Sequence, residues 1–385
     1  MSRMVKALRV ALCAVLFTTL LLPCRYLLGA KEDWIKLAGV ENPTAVPALS
    51  LATFTNRQFQ AAATEDFSKR FFLRKTCLKT ALQIRDWLNF GQFHYGYNCS
   101  LLEGRDGVLF EKPYTAYHLE RDRAADRAKY AKAIGSVKAV DDFCRSIGAD
   151  FVYLLVPDKS QVYPEYLPRW IDWLWDYSEH DIQAEMSRLC EEAGIKTFDG
   201  RRFLLEEKAK TDLWLFPPAG THINALGNGL LAEALLKSLV ARGRSNLKIN
   251  PFLGVTPIQK EWSVDDDIGR LLNIWDTSHV DANPHYAPRF AQTNVTMNAG
   301  GAVLFGDCYR DQIAQIFKDA GLFAPDKIVR AKRKGQTAAD FRHVIGDLKL
   351  VVMIYQSFNS GRLDGRDEEI NAVLAALRAA REATR

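Results

Sequence analysis

Beyond about residue 120, short apolar segments rich in β-branched residues alternate with helix-like segments. This alternation constrains the fold strongly, because strands separated by helices pair in parallel and are covered on both faces. We therefore expect an α/β fold with an open, mostly parallel sheet and helices on both faces. Helices are predicted at 121–147, 178–193, 224–241, 310–320, 338–345 and 368–381, and strands at 151–156, 195–198, 302–305, 327–329 and 348–355.

Other regions precede or interrupt this alternation. Residues 31–100 combine an extended connector with a helical region, in which apolar residues recur at helical spacing over 65–92. Residues 101–110 predict a hairpin around an Asp-Gly turn. Residues 246–300 are rich in Pro, Asn, Asp and Trp, and we interpret them as an insertion beside the carboxyl edge of the sheet. The α/β domain is expected to span residues 101–385.

Residues 1–30 have the pattern of an export signal. Basic residues precede an apolar run at 10–22, which is short for a helix that spans a membrane. A second apolar patch follows at 26–30, and the residues before a possible cleavage point match a signal-peptidase site poorly. The sequence is therefore as compatible with an uncleaved inner-membrane anchor as with a cleaved signal. Either interpretation predicts a periplasmic protein.

Charge and composition exclude several classes of function. The 51 basic and 46 acidic residues give a net charge of +5, and no long basic stripe with interleaved aromatic residues indicates a nucleic-acid partner. The histidines lack metal-ligand spacing, so no metal site is expected. No cofactor fingerprint is present, and we expect a protein without a cofactor.

Five cysteines lie outside the N-terminal segment, an odd number for a compartment that permits disulfides. One thiol is therefore expected to stay free, and Cys308 is the natural candidate. The other four either pair or remain as buried thiols, and their spacing does not decide between these alternatives. They are Cys77, Cys99, Cys144 and Cys190.

Cys308 lies where a predicted strand turns sharply into a predicted helix, in the sequence Gly306-Asp307-Cys308. Such a turn places a nucleophile at a strand's carboxyl end and at a helix N-terminus, where backbone N–H groups stabilise an anion. His222 precedes another predicted helix, for which Asn224 is a plausible N-cap. We expect Cys308 as the nucleophile and His222 as its base.

Other polar residues are expected around this pair, because open α/β sheets bind ligands at the carboxyl ends of their strands. Asp307 and Asn224 are assigned to the support of the site and its oxyanion. Lys159, which follows a predicted strand, and Trp275, which lies in the insertion, are assigned to substrate binding.

Several segments, in the same order, resemble the alginate O-acetyltransferase family, the AlgJ/AlgX-like proteins with an SGNH-hydrolase-like fold. The resemblance covers roughly residues 50–360. In it Cys308 stands where the family has its nucleophilic serine, and His222 stands where the family has its histidine. The matching segments are 54–92, 103–110, 156–168, Thr221-His222, 265–272 and Gly306-Asp307-Cys308.

The resemblance implies that an acetyl group is carried on the nucleophile and passed to a hydroxyl of an exported polysaccharide, alginate or a similar polymer. It also implies a membrane-bound acyltransferase partner that supplies the acetyl groups. The family's aspartate, two residues before the histidine, falls here on Gly220, so Asn224 or Asp212 is considered for orienting His222. Two alternatives stay open: a catalytically silent polysaccharide-binding or assembly component, and a periplasmic carbohydrate esterase.

Overall fold

The computed structural model of the chain describes residues 13, 35–37, 45–70, 74–87, 92–95, 99–119, 123–169, 171, 182–241, 247–258, 265–276, 278, 285–291, 297–331, 335–360 and 363–385. The predicted export segment therefore lies outside the described residues, apart from residue 13. None of the helices in the described part combines the length and the apolarity that crossing a bilayer requires. The chain divides into two compact units, residues 1–100 with 270–278 and residues 101–269 with 279–385.

The first unit contains helices α1 (Leu51–Thr55), α2 (Gln58–Arg70) and α3 (Arg74–Trp87) and strand β1 (Gln92–Tyr95). The Ser50 hydroxyl caps α1 by accepting a hydrogen bond from the Thr53 amide at 3.1 Å. The buried Gln83 side chain on α3 holds segment 270–278, because its Oε1 accepts from the Trp275 and Asp276 amides at 2.9 and 2.7 Å.

In the rest of the described chain, strands and helices are interleaved, and the predicted elements occur among others that were not predicted. The strands are β2 (Cys99–Glu103), β3 (Leu109–Glu111), β4 (Asp150–Val156), β5 (Thr197–Asp199), β6 (Phe252–Ile258), β7 (His285–Phe290), β8 (Gly301–Gly306), β9 (Ile328–Arg330) and β10 (Leu348–Gln356). The helices are α4 (Lys112–Leu119), α5 (Arg123–Ser146), α6 (Lys159–Val162), α7 (Ile182–Glu192), α8 (Gly200–Lys208), α9 (Ala225–Ala241), α10 (Tyr309–Asp319), α11 (Ala338–Ile345), α12 (Ser357–Ser360) and α13 (Asp367–Glu382).

Five of these strands form one parallel sheet in the order β5-β4-β10-β8-β9. Residues 350–356 of β10 pair in register with residues 150–156 of β4, and residues 351–354 pair with residues 303–306 of β8. The predicted fold class, an open parallel sheet within an α/β fold, is confirmed.

Both faces of the sheet are buried, which explains why its strands are apolar at nearly every position. Along β4, Tyr153 and Leu155 face a core built with helices such as α5 and α13, while Leu154 and Val156 face a core built with α9 and α10. Burial of each such side chain contributes about 1.5–3 kcal/mol. The sheet is therefore a rigid base for the residues at its edge.

Two regions of the chain test the finer predictions. The hairpin at 101–110 is confirmed, since residues 101–103 of β2 pair antiparallel with residues 109–111 of β3. The segment 246–300 contains an antiparallel pair, β6 and β7, that was not predicted. Helix α8 was also missed, because Gly200 and Leu204 are the buried residues of an otherwise polar segment, which leaves little periodicity to detect.

Candidate active site

The turn between β8 and α10 depends on Gly306. Its φ of +125° is a conformation that residues with a side chain rarely adopt, and a Cβ at this position would lie 1.8 Å from the Ile354 carbonyl oxygen. Only glycine allows β8 to end this close to β10. The strand consequently turns within two residues, and Cys308 becomes the N-cap of α10.

Asp307 is fully buried and ties this turn to the end of β10. Its carboxylate accepts hydrogen bonds from the amides of Tyr309 (3.1 Å) and Gln356 (2.5 Å) and from the Asn359 side chain (3.1 Å). Its own amide donates to the Ile354 carbonyl at 3.0 Å. Asp307 therefore supports the turn, as predicted, but neither its carboxylate nor its occupied amide is an oxyanion donor.

Cys308 and His222 are in contact. The Nε2 atom of His222 lies 3.0 Å from the Cys308 Sγ atom, and Cys308 is exposed, which leaves the sulfur open to a substrate. The imidazole also packs against the Tyr309 ring, with the ring centres 5.1 Å apart. The structure thus brings together the two residues that the sequence assigned to nucleophile and base.

Asp267 occupies the other side of the His222 ring, where its Oδ2 lies 2.5 Å from Nδ1. Its Oδ1 accepts from the amides of Thr221 (2.8 Å) and Ile268 (2.9 Å), so the carboxylate is fixed independently of the histidine. This residue was missed as the orienting group. Asp267 lies in the 265–272 motif of the resemblance. The family's acid, however, is expected two residues before the histidine, and that position is Gly220.

Asn224 is not the group that orients His222, which corrects that expectation. Its side-chain amide donates to the Trp214 carbonyl at 2.5 Å, and its Oδ1 accepts from the Gly227 amide at 3.0 Å. The second bond is the N-cap of α9, as predicted. Asp212, the other residue considered, is exposed, and the His222 Nδ1 position is taken by Asp267.

The environment of His222 favours its charged form. Burial lowers the pKa of the imidazole, but hydrogen bonds to Asp267 and Cys308 and the charges of these partners together raise it well above 6.5. A histidine between a carboxylate and a thiol can therefore accept the proton that the sulfur gives up when it attacks a substrate.

Glu111 and Tyr114, two residues that the sequence did not single out, stand near this constellation and are hydrogen-bonded to each other. Burial and then the charge of Asp267 raise the pKa of Glu111 to about 7, against the opposing effects of Tyr114 and His222. Burial and the charges of Glu111, Asp158 and Cys308 raise the pKa of the Tyr114 hydroxyl. Besides His222, the site thus contains a carboxylic acid, Glu111, whose pKa lies near neutral pH.

Lys159 does not present a charge to a substrate, which corrects its predicted role. The residue is 3% exposed, and its ammonium donates to backbone carbonyls of Leu109, Pro217, Pro218 and Gly220. Burial lowers the pKa of this ammonium well below its ordinary value, although the charge of Asp267 raises it. An ammonium has three N–H groups, so four carbonyl partners leave none for a ligand.

Trp275, the other predicted substrate contact, belongs to the first unit and is 44% exposed. Its indole N–H donates to the Thr80 hydroxyl at 3.1 Å, and the Lys79 ammonium lies 4.9 Å from the ring centre. Its role in substrate binding stays a prediction.

The described thiols Cys13, Cys77, Cys144, Cys190 and Cys308 are all free. Cys144 and Cys190 are buried, and burial raises the pKa of the Cys190 thiol to about 12 and also raises that of Cys144. Neither is poised to react as a thiolate. Within the described ranges, no three His, Cys, Asp or Glu side chains are grouped as a metal ion would require.

A family model described as the SGNH hydrolase-like domain of the acetyltransferase AlgX matches residues 101–316, more than half of the chain. The match includes His222, Asp267 and Cys308. No curated protein matches the sequence.

Solved structures of several bacterial proteins are similar. The O-acetyltransferase domain of Pseudomonas putida AlgJ is 15% identical, with a TM-score of 0.48 over 71% of this chain and 99% of its own. Pseudomonas aeruginosa AlgX is 16% identical, with a TM-score of 0.46 over 68% of this chain and 62% of its own. Bacillus cereus PatB1 is 10% identical, with a TM-score of 0.43 over 68% and 96%, respectively.

Proposed function

The chain belongs to the family of SGNH hydrolase-like domains of the acetyltransferase AlgX, and from this premise we propose that it O-acetylates an exported polysaccharide, alginate or a similar polymer. The observation that carries the proposal is the 3.0 Å contact between Cys308 Sγ and His222 Nε2, with Asp267 bonded to the far side of the ring. Nucleophile, base and orienting carboxylate are the groups that covalent acyl transfer needs.

In the first half-reaction the Cys308 sulfur attacks the carbonyl carbon of an acetyl donor. The thiol proton passes to His222 Nε2, a C–S bond forms, and the bond between the acetyl carbon and the donor's leaving group breaks. The leaving group takes the proton from His222. The negative charge that develops on the carbonyl oxygen is stabilised at the N-terminus of α10.

In the second half-reaction a sugar hydroxyl gives its proton to His222 Nε2 while its oxygen attacks the thioester carbon. The new ester forms, the C–S bond breaks, and the proton returns to the sulfur. Throughout, Asp267 holds the Nδ1 proton and stabilises the imidazolium, which is the role of the acid in such triads.

The two departures from the family pattern are compatible with this chemistry. Cysteine ionises more readily than serine beside an imidazole and forms a thioester that an alcohol can attack. Asp267 meets His222 from a different segment than the one in which Gly220 replaces the family's aspartate. The loss at one position is therefore offset at another, which favours a working site over a silent one.

We also place the protein in the periplasm, held by residues 1–30 if these are not cleaved. There it would receive acetyl groups from a membrane-bound acyltransferase. These assignments rest on the apolar segment at 10–22 and on the chemistry of the family. A fusion of residues 1–50 to a reporter that is active only after export would test the first of them.

The function is tested by incubating the full-length chain with p-nitrophenyl acetate and an unacetylated alginate oligosaccharide, and by quantifying both acetylated sugar and free acetate. We expect acetylated sugar from the wild type and none above background from Cys308→Ala. Free acetate alone, at saturating oligosaccharide, would identify an esterase. A wild type that makes neither product would contradict an enzymatic function and favour a binding component.

A further inference from the structure

The segment that carries His222, Pro217 to Thr221, has no regular secondary structure. Its two prolines lack an N–H group and prevent it from forming a helix or a strand ladder. Buried carbonyl groups nevertheless require hydrogen-bond donors. The position of His222 therefore depends on donors from other parts of the chain.

Each of the five carbonyl groups from residue 217 to residue 221 accepts a hydrogen bond from outside this segment. Three of these bonds come from a single group, the Lys159 ammonium. The donors are Lys159 Nζ to Pro217 (2.6 Å), Pro218 (2.7 Å) and Gly220 (3.1 Å), the Gly269 amide to Ala219 (2.8 Å), and the Tyr309 hydroxyl to Thr221 (3.3 Å).

The same ammonium joins this segment to β3. Lys159 Nζ donates to the Leu109 carbonyl at 2.9 Å, while the Leu109 amide donates to the Pro218 carbonyl at 2.9 Å. The neighbouring Phe110 ring lies with its centre 5.3 Å from Nζ. Strand β3 and the His222 segment are thus held together, and Glu111, two residues after Leu109, ends the same strand.

Lys159 is itself fixed at the carboxyl end of β4. The preceding residue, Asp158, accepts a hydrogen bond from the Ser357 hydroxyl, and its amide donates to Gln161 Oε1 at 2.9 Å. Gln161 Oε1 also lies 2.7 Å from the Ser357 oxygen, so the single hydroxyl hydrogen of Ser357 is shared between the two acceptors. The lysine therefore transmits the position of the rigid sheet to an irregular segment.

We propose that Lys159 is the positioning residue of the catalytic base: its buried ammonium, held in a cage of four carbonyl oxygens, keeps His222 within reach of Cys308. This inference rests on the proposed function, because the position of His222 matters only if it acts on the sulfur. A displacement of about 1 Å costs on the order of 10²-fold in rate when groups must align. Rings of carbonyl oxygens bind small cations, so the cage left by a truncated lysine is expected to accept ammonium.

The test uses Lys159→Ala in the full-length chain, with and without ammonium chloride, and with sodium chloride at the same ionic strength. The readout is the rate at which iodoacetamide alkylates the Cys308 peptide, followed by mass spectrometry, which needs no acetyl donor. We expect the rate to fall about tenfold or more and to recover in ammonium but not in sodium. His222→Ala should show the low rate under both conditions.

The control is Lys208→Ala, which also removes an ammonium bonded to a backbone carbonyl, that of Val162 at 2.7 Å, but one that does not contact the His222 segment. It should alkylate at the wild-type rate. Thermal unfolding is measured for every variant, and Lys159→Met serves as a second variant that fills the space without donors.

A folded Lys159 variant that alkylates at the wild-type rate would overturn the proposal. So would loss of folding in both variants without recovery in ammonium, because Lys159 would then stabilise the whole domain instead of placing His222. If the wild type transfers no acetyl group yet the alkylation results hold, the proposed function fails while the positioning role stands.

Discussion

The two halves of the candidate site are positioned in different ways. Cys308 lies between a strand and a helix, at a turn whose geometry follows from Gly306 and from the hydrogen bonds of Asp307. His222 lies after a segment without regular structure, which hydrogen-bond donors and an acceptor from distant parts of the chain hold in place. The nucleophile is thus placed mainly by secondary structure, and the base mainly by tertiary contacts.

The two halves of the site therefore differ in how freely their residues can be replaced. A turn that tolerates only glycine leaves little freedom, so the position of residue 308 is fixed whichever nucleophile stands there. A segment held from outside can receive its carboxylate from any neighbour that reaches Nδ1. Here Asp267 reaches it from 45 residues further along the chain, so no acid is needed beside the histidine in sequence.

The largest effect on stability is expected from Gly306→Ala, which places a side chain in the turn. The new methyl group would lie 1.8 Å from the Ile354 oxygen, so a core strand must shift, and we expect a loss of about 4 kcal/mol or more in the free energy of unfolding. Urea unfolding followed by circular dichroism measures it. Gly321→Ala is the control, since φ there is +61° but the space is open, and it should cost about 1 kcal/mol. Equal costs would show that the close approach to β10 is unimportant.

His222→Ala removes the base, which is the other half of the site. Because the base is removed while the sheet is untouched, the acetyl-transfer rate should fall by roughly 10²–10⁴-fold. The free energy of unfolding should fall by about 1–3 kcal/mol, because Asp267 loses its hydrogen-bonded partner. Stopped-flow release of p-nitrophenol measures this rate. A variant that keeps the wild-type rate would show that His222 is not the base of the reaction.

Asp267→Asn tests the tertiary support of His222 separately from the ring itself, because it changes the partner of Nδ1 and leaves the imidazole in place. We expect a rate lower by about 10–10²-fold, less than for loss of the base, since a cysteine depends less on the carboxylate than a serine does. The control is Asp212→Asn, an exposed carboxylate that does not contact the ring. If Asp212→Asn were the slower variant, the assignment of the orienting acid would be wrong.

The smallest effect concerns stability and its dependence on pH. The pKa of Glu111 is raised from 4.5 to about 7 in the folded protein, so its contribution to stability is full below pH 4.5 and is lost as the pH rises towards 7. Glu111→Gln removes this loss. The free energy of unfolding of Glu111→Gln, taken relative to the wild type, should therefore be higher at pH 8 than at pH 4 by about 1–3 kcal/mol.

Urea unfolding of Glu111→Gln and wild type at both pH values measures this difference, with Glu382→Gln at the exposed end of α13 as the control. A stability difference that does not depend on pH would contradict the account of Glu111 as an acid buried beside Asp267.

The sequence was informative where structure is local. The strands of the sheet are apolar on both faces, so β4, β8 and β10 were predicted within one residue or so of their ends, as were α10 and α11. The turn at Cys308 followed from the same pattern, because a strand that runs directly into a helix leaves only two residues for the reversal.

The sequence was uninformative where position depends on distant partners. Lys159 follows a strand and therefore suggests a substrate ligand, since nothing local reveals that its ammonium is surrounded by carbonyl groups from β3 and from Pro217, Pro218 and Gly220. The pairing of Asp267 with His222 and the burial of Glu111 are equally non-local. Each arises only when loops from different strands meet at one edge of the sheet.

In the proposed reaction Cys308, activated by His222, carries the acetyl group. Quenching the wild type in acid during the first turnover with p-nitrophenyl acetate, and mapping the acetylated peptide by mass spectrometry, tests this step. We expect one acetyl group on the Cys308 peptide, bound as a thioester that neutral hydroxylamine removes, and markedly less of it in His222→Ala. An acetyl group on any other residue, or a label on Cys308 that forms equally fast without His222, would contradict it.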